Sequence, residues 1–333
     1  MRALLVSGIA RLAGLLVQLL LVLFLGFLLF RLIPGDPVRA ITRGHPTTPA
    51  QIAALRQELD LDRPLPVQFG RYVIDAVHGD LGRSVLYRRP VSAVIAERLG
   101  PTALLTGVGT GLSVLIGCAL GVRAGWRPGS RFDRWSTASA LAFWAMPTFW
   151  LGLILLVCVG AGVGPIPGLF PVGGMRSVGG APGLPAAVID VGWHLVLPCL
   201  TLVAVQYGQY HLLIRSSVIA ELDQGYLKLS RAKGLRDSQI RRRAWANVAG
   251  PTLTLAMLNL GLLVTGAVSV EAVFSWPGLG QLTFQALQVH DLPVLHGTFL
   301  VFSAVVIIAN SSADLIQTRL DPRLRRELPY WPG

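Results

Sequence analysis

The chain has 333 residues, 53% of them hydrophobic and only 14% charged, with a net charge of +12. That charged share is far below the roughly 25% of soluble globular chains, which excludes an ordinary soluble domain. The surplus of Lys and Arg would suit nucleic acid, but it is confined to a few short connecting segments, the signature of membrane topology.

Crossing the hydrocarbon core takes about 20 consecutive apolar residues. Six segments qualify: Ile9–Leu32, Thr102–Val122, Thr137–Gly160, His194–Ile214, Thr252–Val270 and His296–Thr318. The first runs into Arg31-Leu-Ile-Pro-Gly-Asp without a small-x-small cleavage site, so it reads as an uncleaved anchor. If the N-terminus is cytoplasmic, the inner pieces are the N-terminal end, Arg123–Arg134, Arg215–Gly250 and Arg319–Gly333. Together with Arg11, at the inner end of the first span, they carry 18 Lys and Arg against six acids, which is the whole net charge. This predicts six spans with both termini cytoplasmic. The outer loop Pro34–Arg98 holds nine Arg and seven acids and is long enough to be translocated regardless of charge.

In chain order, residues 1–33 form the N-terminus and first span, 34–98 an extracytoplasmic loop region, and 99–333 a five-helix core. Within the loop, Thr48-Pro49 has the form of a helix start. Val67–Val77 suits a short amphipathic helix, and Pro90–Leu99 a helix at the membrane surface. Ala161–Gly192 is rich in Gly and Pro and reads as an irregular connection; Pro198 then falls in the first turns of the fourth span. In the inner loop, about 215–250, a short helix is expected from Gln224 to Lys233. Tyr226, Leu229 and Ala232 form its apolar stripe, and Gly234 ends it with a positive φ. Asp237 is expected to cap a second helix running to Asn247.

Several chemistries are missing. The only two lysines, Lys228 and Lys233, lie in no P-loop, and HExxH and GxSxG are absent. The six histidines are scattered, and Cys118, Cys158 and Cys199 read as small core residues, so no metal or other cofactor is expected. Within the last span, Asn310 and Asp314 share a face and suit helix–helix hydrogen bonding. No acid falls near mid-membrane, and no inverted pair of broken helices is visible, which disfavours a proton-coupled carrier.

Four stretches in chain order carry a resemblance. Phe30-Arg-Leu-Ile-Pro-Gly-Asp-Pro37 is followed by Leu59-Asp-Leu-Asp-Arg-Pro64 and Gly79-Asp-Leu-Gly-Arg-Ser84. Next come Arg215-Ser-Ser and Tyr226-Leu-Lys-Leu-Ser-Arg-Ala-Lys-Gly-Leu235, then Glu271-Ala-Val-Phe-Ser-Trp-Pro-Gly-Leu-Gly-Gln-Leu282, and last Asp321-Pro-Arg323. Together they resemble the membrane-spanning permease subunits of dipeptide, oligopeptide and nickel ABC importers. The general importer motif has Glu-Ala-Ala where this chain has Lys228, Leu229 and Ser230.

The resemblance implies an all-α integral membrane protein of the type I ABC importer permease fold, in a bacterial inner membrane. It implies a second homologous permease, two ATP-binding subunits, an extracytoplasmic binding protein, a peptide substrate, and no nucleic acid or catalytic residue. Tyr226, Lys228, Leu229, Ser230, Arg231, Ala232, Lys233, Gly234 and Leu235 would couple to the ATPase, the stripe entering a groove on it. Glu271, Phe274, Trp276, Pro277, Gly278 and Gly280 would shape an outer gate, with Trp276 as an interface anchor the competing reading.

Overall fold

The computed structural model describes residues 2–32, 48, 50, 63–180, 183–245, 247–248 and 268–320. Two compact units emerge. One joins residues 1–100 to 278–307, and the other comprises 101–277 and 308–333. The first unit thus takes in a late segment that a division in chain order does not anticipate.

In the first unit, α1 (Arg2–Leu32) meets α2 (Leu65–Val77) through an aromatic cluster. Phe24 and Phe27 each lie 5.6 Å from the ring of Phe69, and Phe27 lies 5.9 Å from Tyr72. The helix α2 begins after Pro64, with Pro66 in its first turn where a missing N–H costs nothing. It stops at His78, followed by Gly79 at φ 78°. Of the helix expected to start at Thr48-Pro49, only residues 48 and 50 are described.

A strap over residues 80–90 closes through a bridge between Arg83 and Pro90. It is pinned by Asp291, which accepts from Ser84 Oγ at 2.6 Å and from the Leu86 N–H at 2.9 Å. The expected surface helix before the second span does not exist as a separate element. Pro90–Leu99 leads straight into α3 (Val91–Trp126), one helix with Pro101 inside it. Its first turns bury Val91, Val94 and Ile95 against Leu279, Leu282 and Val294, so this segment is core and not a surface float.

In the second unit, α4 (Arg131–Trp144) is followed by α5 (Thr148–Leu155) and a π-helical turn, Leu156–Ala161. The expected third span, Thr137–Gly160, is therefore broken. Its two halves meet at 101°, at Met146-Pro147, where proline denies its predecessor the helical conformation and supplies no N–H. A two-residue hairpin follows, Gly162–Val163 pairing with Ile166–Pro167.

Next comes α6 (Leu184–Leu222), which starts ten residues before the expected His194. Pro198 is consequently deep inside this helix and not in its first turns. The helix α7 (Gly225–Ala232) and the helix α8 (residues 237–245) follow, then α9 (residues 268–273). The late elements are α10 (Leu279–Val289) and α11 (Leu292–Leu320). The expected fifth span lies mostly outside the described residues.

Helices α3 and α6 pack in parallel and very closely. A Cβ on Gly109, Gly117, Gly121 or Gly125 would meet Leu202, Tyr210, Ile214 and Val218 respectively, at 3.1, 2.6, 2.9 and 2.8 Å. The partner advances four residues whenever the glycine position does, which defines a shared direction, and Ser113, fully buried, completes the ladder. Small residues let helix backbones approach where apolar surface alone gives no drive, as in a bilayer. Two parallel crossings require one return crossing between them, a role that the bent α4–α5 pair fills.

Among the described residues, Val91–Trp126, Leu184–Leu222 and Leu292–Ser312 are long and apolar enough to cross a membrane, and the bent pair counts as a fourth where its two halves form one span. Large apolar side chains such as Leu115 and Ile308 face outward, 67% and 64% exposed. Of the cysteines, Cys199 is buried but Cys158 is exposed, so the expectation of three core cysteines fails at Cys158.

Candidate functional site

Two constellations from the sequence have defined geometry. The first is α7. A two-residue link, Asp223-Gln224, joins it to the end of α6. Its inward side chains are Leu227 and Ser230, only 1% and 4% exposed. Leu227 packs with Ile240 and Ala244 of α8, and Trp126, Leu222 and Leu235 complete that cluster. The guanidinium of Arg241 lies 4.9 Å over the Trp126 ring, a second tie between α8 and the end of α3.

Polar bonds fasten the same short helix. Tyr226 Oη donates to Glu221, and Asn247 Nδ2 donates to Glu221 Oε1 at 2.8 Å and to Tyr226 Oη at 3.0 Å. Partial burial, and secondarily the Glu221 carboxylate, raise the Tyr226 phenol above its ordinary value, which keeps it a donor. Ser230 Oγ donates to the Tyr226 carbonyl and accepts from Arg243 Nη1 at 3.0 Å.

The outward face is what remains. Tyr226, Leu229 and Ala232 are exposed, Leu229 by 55%, and so are Lys228 and Lys233. Arg231 belongs to the helix, but its side chain is outside the described part. Gly234 has φ 76° and ends the helix as anticipated from its position, while Leu235 turns half-buried beneath it. The start of α8 differs from expectation. Asp237 is already helical, and the Arg236 N–H donates to Gln239 Oε1 at 3.0 Å, the backward reach of a capping box.

The second constellation follows the expected fifth span. Glu271 and Trp276 are both 0% exposed, and Phe274 is 1% exposed. Thr102 Oγ1 donates to Glu271 Oε1 at 2.7 Å, and Trp276 Nε1 donates to the Pro101 carbonyl at 2.9 Å. The chain reverses at Ser275, φ 49°, with the Trp276 N–H donating to the Glu271 carbonyl. Trp276 is therefore not the exposed interface anchor considered from sequence; it is a core residue beside Leu105, Leu197 and Phe274. Pro277 is half-buried, and Gly278 and Gly280 are buried at the start of α10.

Of the last pair, Asn310 is exposed on α11, and the Asp314 side chain lies outside the described residues. Sequence reasoning missed the supports of α7, namely Trp126, Ile240, Ala244 and Asn247. It also missed an ion pair between the buried Asp133 and the partly exposed Arg215. The apolar spacing of Ile240 and Ala244 on one helix face was the available signal for the first group.

Comparison with known proteins places the chain in a family. Residues 114–326 match the family described as binding-protein-dependent transport system inner membrane component. Residues 4–106 match its N-terminal counterpart. The chain is 35% identical to a glutathione transport system permease protein, GsiC, of Pectobacterium atrosepticum, over 95% of this chain and 98% of that one. It is 34% identical to a putative peptide transport system permease protein of Brucella abortus, over 92% and 95% of the two chains. An inward-facing MetNI methionine ABC transporter structure aligns with a TM-score of 0.51 at 20% identity, covering 68% of this chain and 96% of that one, a likeness of fold. The chain belongs to the binding-protein-dependent transport system inner membrane component family, as a multi-pass permease subunit of an ABC importer.

Proposed function

We propose that this subunit imports peptides, with glutathione-sized tripeptides and dipeptides as the substrate class, and that α7 is its coupling helix. The substrate class follows the relatives, whose names specify glutathione and peptide transport. On this reading the chain lines a pathway with a second, homologous permease. Separate subunits bind and hydrolyse ATP, and an extracytoplasmic binding protein delivers the substrate. On the same reading both termini are cytoplasmic, which the distribution of Lys and Arg supports.

The observation that carries the coupling reading is the two-sidedness of α7. Leu227 is 1% exposed and held by α8, while Leu229, two positions on, is 55% exposed among the described residues. A fastened helix that still presents an apolar stripe flanked by Lys228 and Lys233 suits a groove with acidic rims on a soluble partner. A basic segment held only by lipid headgroups needs no such rigid footing.

The outer constellation supports a second element of the reading. Glu271, Phe274 and Trp276 hold the backbone reversal at Ser275, so their influence on an outer gate is exerted by positioning that turn, with Pro277, Gly278 and Gly280 continuing it. The experiment for coupling is Leu229→Asp in the assembled complex. ATPase subunits should be lost on purification while the permease pair remains in the membrane at normal abundance. Full retention of the ATPases, with wild-type uptake, would refute the docking role.

A further inference from the structure

We infer that Asp133 and Arg215 form a positioning clasp that makes the bent α4–α5 crossing move with the helix that bears the coupling segment. The inference rests on the coupling reading of α7 given above.

Asp133 has an ordinary task as well. It sits in the first turn of α4, where Ser130 caps the helix and accepts the Asp133 N–H at 3.1 Å. Its Oδ2 accepts the Gly129 N–H at 2.8 Å. Capping alone leaves a carboxylate in contact with water, as helix N-termini usually do. Here the residue is 2% exposed, and Arg215, from the far end of α6, closes over it. Arg215 Nε meets Oδ1, and Nη2 meets Oδ2 at 2.9 Å, a fork against both oxygens.

The contact is repeated one turn along. Thr137, four residues after Asp133, places Oγ1 3.3 Å from Nε2 of His211, four residues before Arg215. His211 is completely buried, and its backbone lies against Gly117 and Gly121 of α3. The Arg215 carbonyl in turn lies 2.8 Å from where a Gly125 Cβ would stand. Two points on α4 therefore engage two points on α6 in one register, while α6 is set into the glycine ladder of α3.

Arg215 lies about two turns before α6 ends at Leu222, and α7 begins just beyond. A push on α7 enters α6 at that end. Apolar packing alone would let α4 slide along α6, because apolar contacts have no direction. Asp133 is buried while the Arg215 side chain is 28% exposed, and a fork on a buried carboxylate has one preferred geometry, because breaking it leaves that carboxylate uncompensated. Pairs with a buried member contribute weakly to net stability, and fixing register is their best-attested use. Asp133 and Arg215 are thus positioning residues and need not touch the substrate.

The test uses the complete importer in lipid nanodiscs, with the three native cysteines replaced and spin labels at Trp135→Cys on α4 and Ser216→Cys on α6. The probe is ATP with vanadate, which needs no knowledge of the substrate. In the otherwise unaltered protein, the 135–216 distance distribution should coincide in the nucleotide-free and vanadate-trapped states. In Arg215→Gln it should shift or broaden on trapping, and the neutral pair Asp133→Asn with Arg215→Gln should restore part of the coincidence. A distribution in Arg215→Gln that stays as in the unaltered protein overturns the clasp. If the neutral variants do not assemble, Arg215→Lys, which keeps the charge and loses the fork, is read by the same two outcomes. A merely stabilising pair would lower abundance or Tm and leave the distances alone, which also overturns the proposal. Crosslinking from Leu229→Cys to the ATPase in the same complex separates the two readings. Its absence sinks the coupling assignment; its presence with an unmoved distribution sinks only the clasp.

Discussion

Trp276 donates its indole N–H to the carbonyl of Pro101, 2.9 Å away, from a side chain with no exposed surface. The adjacent Thr102 donates to Glu271, five residues before the tryptophan. The two bonds fasten the turn at Ser275 to the part of α3 where Pro101 removes an N–H from the helix ladder. Trp276→Ala should cost on the order of 3–5 kcal/mol through loss of a large buried ring. Trp276→Phe keeps most of the ring and should cost about 1 kcal/mol for the lost hydrogen bond. Thermal unfolding of the purified complex checks both. An Ala variant as stable as the parent would contradict the burial.

The ladder between α3 and α6 makes a second prediction. A methyl at Gly117 would stand 2.6 Å from the Tyr210 Cβ and 2.7 Å from the Tyr207 carbonyl, and one at Gly121 2.7 Å from the His211 carbonyl. Backbone cannot yield as a flexible side chain can, so Gly117→Ala and Gly121→Ala should each cost about 1–3 kcal/mol. Gly111→Ala is the control. Nothing lies within 4 Å of its Cβ, and alanine is the better helix former there. Membrane abundance and unfolding temperature should fall for the first two and hold or rise for the third. Equal behaviour of all three would mean that the helices are not packed along this seam.

What could be read from sequence alone divides by range. The short helix α7 was legible because its signals are local: a three-residue apolar step and a glycine where φ turns positive. The break at Pro147 had a visible local signal in the proline, but proline is tolerated inside membrane spans, so the residue alone does not separate a kink from a sharp break. Trp276, aromatic and next to a span, had the composition of an interface anchor, and only its contacts with Pro101 and Leu105 place it in the core. Asp133 and Arg215 are 82 residues apart, and nothing in either neighbourhood names the other. The small residues at Gly109, Ser113, Gly117, Gly121 and Gly125 do repeat visibly, but the helix they receive is decided by tertiary packing.

Orientation gives a third prediction. With Arg11 counted, the proposed inner side holds 18 Lys and Arg against six acids, and the positive-inside rule then predicts the direction of insertion. In a background without native cysteines, Gln239→Cys, at an exposed position of α8, should react with impermeant maleimide only from the cytoplasmic side. Arg56→Cys, in the long first loop, should react from outside. The reverse pattern would overturn the orientation, and with it the placement of α7 beside the ATPases.

The last prediction isolates the conformation of Gly234 from the space around it. Its φ is 76°, yet a Cβ there would meet nothing within 4 Å. Any penalty on substitution is therefore backbone strain and not a clash. Side chains differ sharply in that strain: asparagine visits the left-handed region readily, whereas a β-branched residue resists it. Gly234→Asn should leave uptake close to the parent. Gly234→Val should carry roughly 1–2 kcal/mol of strain at the end of α7, comparable to an ordinary hydrogen-bonding or packing contribution at that site. The permease core would still insert, because α3 and α6 do not depend on this residue. The helix end would instead unwind or tilt, carrying Leu229 out of line with Lys228 and Lys233. The expected result is normal membrane abundance with reduced ATPase co-purification, or ATP hydrolysis without matching transport. Measuring bound ATPase per permease and hydrolysis in the same preparation decides the matter. If valine and asparagine behave alike, the positive φ of Gly234 has no part in coupling.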